Sequence, residues 1–329
     1  QGEADTYTVE YDTSGQTVSI VYSGATVGWI PESDVDVTDA PTPPPPQKAI
    51  FGFGYTGSYV SMSNLVNSSG VVATDVTGVG TARYFLAAAG YGTDKAIFGY
   101  GYTGSKVSMS NLVNNSGVVA ADVSGVGTAR SALAAAGYGG DKAIFGYGST
   151  AGVTNLSNLV SNSGVVAADV SGVGTSRQYI AAAGYGTDKA IFGYGTTGSN
   201  TAITNLVSNV GVVAADVSGV GSARQGIAAA GYGTDKAIFG YGYISGYVSM
   251  SNLVNNSGVV AADVTGVGTT RGSLSAATYG ADKAIFGFGE APYTGITNLV
   301  SNSGVIATDT TGVGTARKGA GAAGYSLSA

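Results

Sequence analysis

"DKAIFGYG" occupies residues 94–101, returns from Asp141, Asp188 and Asp235, and reads "DKAIFGFG" from Asp282. Its lysine keeps a strict spacing: Lys48, Lys95, Lys142, Lys189, Lys236 and Lys283 each stand 47 residues from the next. A period of this size marks a tandem repeat, whose units cannot bury their apolar faces alone and must stack on one another. The chain of 329 residues is therefore expected to hold one repetitive architecture rather than two unrelated domains.

One period runs from Arg83 to Arg130, and Arg177, Arg224, Arg271 and Arg317 continue the series. Four short strands are predicted within it: an alanine-rich strand at 86–91, a second at 95–101, a short third near 110–113 and a fourth at 118–123. "GTD" separates the first pair and "NNSG" the last, residue types that reach positive φ or form Asx turns at low cost. With 55 glycines and no long stretch at helical spacing, an all-β array is expected. Because "AIF" and "GVVA" do not alternate with polar residues, most strands should be buried on both faces.

Composition excludes several functions. The chain has no cysteine and no histidine, so disulfides, thiolate metal sites and the commonest acid–base group are unavailable. No apolar run is long enough for a transmembrane helix, so no membrane insertion is expected. The net charge of -6 is lopsided: residues 1–46 carry eight acids and no base, while the remainder has 14 bases against 12 acids. Only Lys106, Glu290 and Lys318 in that remainder fall off the repeating positions, which leaves no basic stripe for a nucleic acid. An active site needs a few groups with pKa values pushed apart, and such groups should break the repeat; the acids and bases recur instead, so no enzyme and no cofactor are expected. The alternating acids of "ESDVDVTD" (32–39) lack the glycine of an EF-hand and read as a solvated strand face rather than a metal site.

The order of arginine, small apolar strand, turn, "KAIFGYG", variable loop, "SNLV", turn and "GVVAADV" resembles the Kelch repeat, over residues 48–329. It departs from that pattern in having Gly-Tyr-Gly or Gly-Phe-Gly for the usual Gly-Gly doublet, and Val for the late Trp. The resemblance implies a six-bladed β-propeller. The near-identical "KAIFGYG" units are also similar to repeat proteins of marine bacteriophages described as virion components. Six second strands begin at Lys48, and six arginine-led first strands end at Arg317, so the two sets are offset. Closure by the C-terminal strand, which would complete the N-terminal blade, is the expected solution because it removes two exposed sheet edges. A β-solenoid, the rival, needs no such offset.

Residues 1–40 are expected to be a small acidic β segment with strands at "TYTVEY", "QTVSIVY" and "TVGWI", and 41–47 ("PTPPPPQ") a stiff polyproline linker. Such a segment suits an anchor to a larger particle or filament. Two structural sets repeat: Arg83, Arg130, Arg177, Arg224, Arg271 and Arg317, and Asp75, Asp122, Asp169, Asp216, Asp263 and Asp309, expected to hold one another or backbone carbonyls between blades. What varies is the loop after "FGYG" and the pair after each arginine, and in an up-and-down blade both lie at one end. Tyr55, Tyr59, Tyr84, Phe85, Tyr102, Tyr179, Tyr243, Tyr247 and Tyr293 belong to these variable sets and are the candidate ligand-binding residues, for a host-surface glycan or protein. The expected function is a non-enzymatic structural or display protein on a virion surface or in the extracellular space; a secreted bacterial adhesin or filament subunit is the alternative, and a glycan-processing enzyme a more distant one.

Overall fold

The computed structural model describes residues 20–22, 29–31 and 47–326. The chain divides into two units, Gln1–Pro43 and Pro44–Ala329. In the first, β1 (Ile20–Tyr22) pairs antiparallel with β2 (Trp29–Pro31); β1 lies within the predicted "QTVSIVY" and β2 overlaps the end of "TVGWI", running one residue past it. "TYTVEY", the acidic run 32–39 and the prolines of the linker lie outside the described residues.

The second unit is all-β, built of six three-stranded antiparallel sheets. Sheet 1 joins β3 (Lys48–Tyr55) and β4 (Tyr59–Val66) to β20 (Gly321–Tyr325) from the far end of the chain. Sheet 2 is β5 (Ala87–Tyr91), β6 (Lys95–Tyr102) and β7 (Lys106–Val113); sheet 3 is β8 (Ala134–Tyr138), β9 (Lys142–Gly146) and β10 (Ser157–Val160). Sheet 4 is β11 (Ala181–Tyr185), β12 (Lys189–Gly193) and β13 (Thr204–Val207), and sheet 5 is β14 (Ala228–Tyr232), β15 (Lys236–Tyr243) and β16 (Tyr247–Val254). Sheet 6 is β17 (Ser275–Tyr279), β18 (Lys283–Gly287) and β19 (Thr297–Val300). No helix occurs among the described residues.

The middle strands explain why "AIFG" cannot drift. Ala49, Ile50 and Phe51 are fully buried, as are their five counterparts. Each phenylalanine ring lies where the next-door glycine would carry a Cβ: Phe98 2.7 Å from that point on Gly52, Phe145 2.6 Å on Gly99, and so on around to Phe51, 2.8 Å on Gly287. A side chain at any of these glycines would push two sheets apart, and each buried phenylalanine contributes roughly 1.5–3 kcal/mol. The first strands neighbour one another in sequence, and β20 neighbours both β17 and β5.

Two cycles of backbone bonds tie the ends of these first strands. At one end Phe85 N–H donates to Gly319 O (2.8 Å), Gly319 to Ser273, Ser273 to Gly226, Gly226 to Tyr179, Tyr179 to Ala132, and Ala132 back to Phe85 O. All six residues have φ between 50° and 60°, a left-handed conformation that L residues adopt at a cost and keep only where surrounding structure dictates it. At the other end Gly92, Gly139, Gly186 and Gly233 each donate to the aspartate carbonyl of the next turn, from Asp141 to Asp282. The cycle crosses the chain's own ends through Gly280 N to Gln47 O (3.0 Å) and Ser326 N to Asp94 O (2.9 Å). β20 pairs with β3 from Gly321↔Gly52 to Tyr325↔Lys48, the same register the five covalently continuous pairs use. The offset of strand sets noted in the sequence is resolved by that pairing.

The fourth strand predicted at 118–123 is not a strand. The segment meets β7 through two isolated bridges, Val113↔Val119 and Ser110↔Val123. Three steps along β7 oppose four on the segment, so one residue bulges out and the ladder breaks. Asn111 fills the break, its Nδ2 donating to Ala120 O and to Asp122 Oδ1, both at 2.9 Å. The predicted third strand also proves longer in sheets 1, 2 and 5, where β4, β7 and β16 have eight residues and extend the hairpin past a bulge in the second strand.

Candidate functional site

Each arginine of the repeat is fully buried and bonded on every side. Arg83 Nε donates to Tyr100 O (2.8 Å), Nη1 to Thr81 O (3.1 Å) and Nη2 to Asn111 Oδ1 (2.6 Å). Its guanidinium lies 4.3 Å over the ring of Phe53, which belongs to the preceding sheet. Arg130, Arg177, Arg224, Arg271 and Arg317 stack likewise on Tyr100, Tyr147, Tyr194, Tyr241 and Phe288. The "Tyr" or "Phe" of "FGYG" is therefore a cation–π platform between sheets, an arrangement that gains strength when shielded from water. Burial pulls the guanidinium of Arg83 and of Arg317 down to about 10, so both remain charged at neutral pH.

The aspartates of the second set sit farther from the arginines than expected, at 3.7 Å for Asp122 to Arg83. Their shorter bonds go to the chain just before the arginine: Asp122 accepts from Thr81 N and Oγ1, the latter at 2.6 Å. Asp75 accepts in the same way from Thr315, across 240 residues of sequence. Burial opposes ionisation of these carboxyls, but the hydroxyl, amide and backbone donors outweigh it and hold them below the ordinary aspartate value. The asparagine in the centre of each set, Asn64, Asn111, Asn158, Asn205, Asn252 or Asn298, was not singled out in the sequence. Its signal was available: one amide in each "SNLV" or "TNLV", in an otherwise apolar strand, six times over.

One residue beyond each arginine the repetition stops. There the backbone makes six equivalent bridges to the residue after "GYG": Tyr55↔Lys318, Tyr84↔Tyr102, Ser131↔Ser149, Gln178↔Thr196, Gln225↔Tyr243 and Gly272↔Glu290. The loop set and the post-arginine set thus meet at one end, and only their side chains differ. Tyr55 lies 5.6 Å from Tyr59, 5.3 Å from Tyr84 and 6.2 Å from Tyr293 between ring centroids. Tyr59 stacks on Tyr84 and meets Tyr102, while Phe85 touches Tyr84 and reaches across to Tyr179 at 5.1 Å. Seven of the nine candidate aromatics therefore form one connected cluster. Tyr243 and Tyr247 form a separate pair, 5.2 Å apart. By sheet, aromatics occupy the bridges or loops of sheets 5, 6, 1 and 2, whereas those of sheets 3 and 4 carry Ser, Thr and Gln, apart from Tyr179 next to its bridge.

The sequence also left Glu290 and Lys318 outside its candidate site. Lys318 Nζ donates to Glu290 Oε2 at 2.6 Å, linking sheets 1 and 6, and Ser273 Oγ donates to Oε1 at 2.8 Å. Lys318 also lies 5.5 Å over the Tyr293 ring. Burial works against the lysine's charge, yet the Glu290 bond more than offsets it and raises its pKa. Tyr84 is pushed up by burial first and by neighbouring tyrosines second. A cavity of about 70 Å³ opens at the centre of this end, with Phe85, Tyr179, Leu133 and Ile227 in its wall. That is well below the ~300 Å³ at which small-molecule pockets begin.

At the opposite end the turns repeat. Asp94, Asp141, Asp188, Asp235 and Asp282 pair with the lysine that follows, at 2.6–3.2 Å. Among the described residues no group of three or more His, Cys, Asp or Glu is placed to hold a metal ion. No protein-family model matches the chain, and no curated protein does.

Proposed function

We propose that residues 48–329 form a closed six-bladed β-propeller of Kelch-like repeats, and that the protein is a non-enzymatic display protein recognising a surface ligand through its variable end. The two cycles of backbone bonds and the β20–β3 pairing support the ring. One observation carries the recognition: aromatic side chains gather at non-repeating positions on one end, over neighbouring sheets, where the backbone needs none of them. Tyrosine with serine, threonine and asparagine is an adaptable contact chemistry with little entropy to lose. The ligand is a glycan or protein of a host surface, and the setting, drawn from the phage resemblance, is a virion appendage held through residues 1–46.

Replacing Tyr55, Tyr59 and Tyr84 with serine tests the site. The variant is expected to keep its melting curve, since Tyr55 and Tyr59 close the open end of the β3–β4 hairpin and Tyr84 sits in an isolated bridge, all held by main-chain bonds that serine also makes. Binding to host-cell surfaces or a glycan array falls by about 1 kcal/mol or more for each true anchor. Undiminished binding by this variant would sink the assignment. Particles assembled with a chain that starts at Gln47 test the setting, and wild-type incorporation of that chain would remove the anchor role of residues 1–46.

A further inference from the structure

We infer that the variable end binds a neutral, polyhydroxylated pyranose saccharide, with Glu290 and Lys318 as its polar anchors and the Tyr55–Tyr84 cluster as its stacking surface; this rests on the recognition role proposed above. The pair has no counterpart elsewhere. Glu290 and Lys318 stand in the bridges of adjacent sheets, Gly272↔Glu290 and Tyr55↔Lys318, and the equivalent neighbours on the other sheets are Tyr55 with Tyr84, Tyr102 with Ser131, Ser149 with Gln178, Thr196 with Gln225 and Tyr243 with Gly272, so the fold forms the junction without an ion pair. The repeating arginines and aspartates are bonded into the sheets, and the aspartate–lysine pairs from Asp94 to Lys283 into the turns, whereas this ion pair spans two sheets at the end where the sequence varies.

Its chemistry narrows the ligand. Glu290 and Lys318 are each about a fifth exposed, so both offer free bonding directions to a ligand laid over them. Ion pairing leaves their summed charge at zero, which favours hydroxyl groups over a carboxylate, sulfate or phosphate. Vicinal hydroxyls can donate to the carboxylate and accept from the ammonium, and charge-assisted bonds of this kind are about twice as strong as neutral ones. Beside them, Tyr293 and Tyr55 present rings whose negative faces attract the partly positive C–H groups of a pyranose face. The central cavity, at about 70 Å³, is too small to enclose a sugar, so the saccharide lies across the end of the sheets and can contact more than one ring of the cluster.

The test uses the full chain, an array of neutral oligosaccharides and the same backbones capped with sialic acid or sulfate. Glu290→Thr with Lys318→Gln transplants the side chains of Thr196 and Gln225, which hold the equivalent places on sheets 4 and 5 and which this scaffold already accommodates, so melting is expected to be unchanged. Affinity for the neutral saccharide that binds is expected to fall at least about tenfold, the loss of one or two charge-assisted bonds. A deoxy analogue lacking one of the contacting hydroxyls should bind the parent chain as poorly as the parent saccharide binds the variant. Unchanged neutral binding by the variant overturns the inference, as does binding confined to the acidic glycans. Loss of host-surface binding by the triple tyrosine variant, with no neutral saccharide bound by the parent chain, also overturns it while leaving the recognition face standing, and then points to a protein ligand.

Discussion

Arg83 and Tyr84 are neighbours in the chain and obey opposite rules. The arginine is matched in all six repeats; the residue after it is Tyr, Ser, Gln, Gln, Gly or Lys. Arg83 bonds two strands of its own sheet and the chain just before itself, and stacks on a ring of the preceding sheet, so no other side chain satisfies the site. The main chain of Tyr84 is held through N–H to Tyr102 O and C=O to Tyr102 N, bonds that any side chain at this position leaves intact. Repetition therefore marks where side chains hold the sheets together, and variation marks where the main chain suffices and the side chain is free for another task.

Removing residues 317–329 would strike the first rule hardest. It takes away β20 and the sixth arginine, breaks both cycles of backbone bonds at Gly319 and Ser326, and opens an edge on sheet 1. Cooperative thermal unfolding is expected to disappear, and a truncated chain that melts like the full one would show that the pairing is dispensable. Next in size is Arg177→Met, which leaves Asn205 and the carbonyls of Tyr194 and Thr175 without their buried donor. A loss of ~3–5 kcal/mol is expected in denaturant unfolding, against less than about 0.5 kcal/mol for its neighbour in Gln178→Ala. Equal losses at the two positions would erase the distinction between the rules.

Acid probes the same belt more gently. The six carboxyls from Asp75 to Asp309 have folded pKa values below the ordinary value of 3.8, because the Thr or Ser and Asn donors overcome the cost of burial. Depressed folded values add stability that is fully present above the unfolded pKa and is lost as pH falls through the folded one. Tm should therefore hold steady from neutral to mildly acid buffer and drop below about pH 4. A Tm that rises on that limb would show that burial, not bonding, dominates these groups. The smallest effect is expected at the turn end, from Thr93→Gly. Thr93 has φ 69°, and Gly140 already fills the corresponding place in the next repeat. Stability should change by less than about 1 kcal/mol, with ligand binding unaltered. Gly92 is unsuited to this control, since a Cβ there would stand 2.8 Å from Asn162 O.

Much of the fold was legible because the same letters recur at one spacing. The period, the first three strands of each unit and the offset between first and second strands all follow from counting Lys48 to Lys283 against Arg83 to Arg317. The fourth segment was not legible, since "GVVAADV" has the composition of a strand and its broken pairing depends on a buried asparagine eight to eleven residues earlier. Nor could the letters show that Tyr100 bulges at φ 65° to lie under the arginine of the following repeat. At the variable end the aromatic positions could be read from their departure from the repeat. The bond between Glu290 and Lys318 could not, because it joins residues 28 apart on different sheets.

The pairing of β20 with β3 has a consequence for how such a protein can change its size. Gln47 N donates to Ser326 O at 2.8 Å, next to the last β3–β20 pair of sheet 1, so the two ends of the described array are halves of one unit. Unequal exchange between two equivalent codons of the coding sequence would insert or excise one whole period, whatever phase it began at. Both halves of the divided sheet would survive each such event unaltered, and only the count of complete units between them would move. A lineage could thereby try arrays of different repeat number without ever re-evolving the joint.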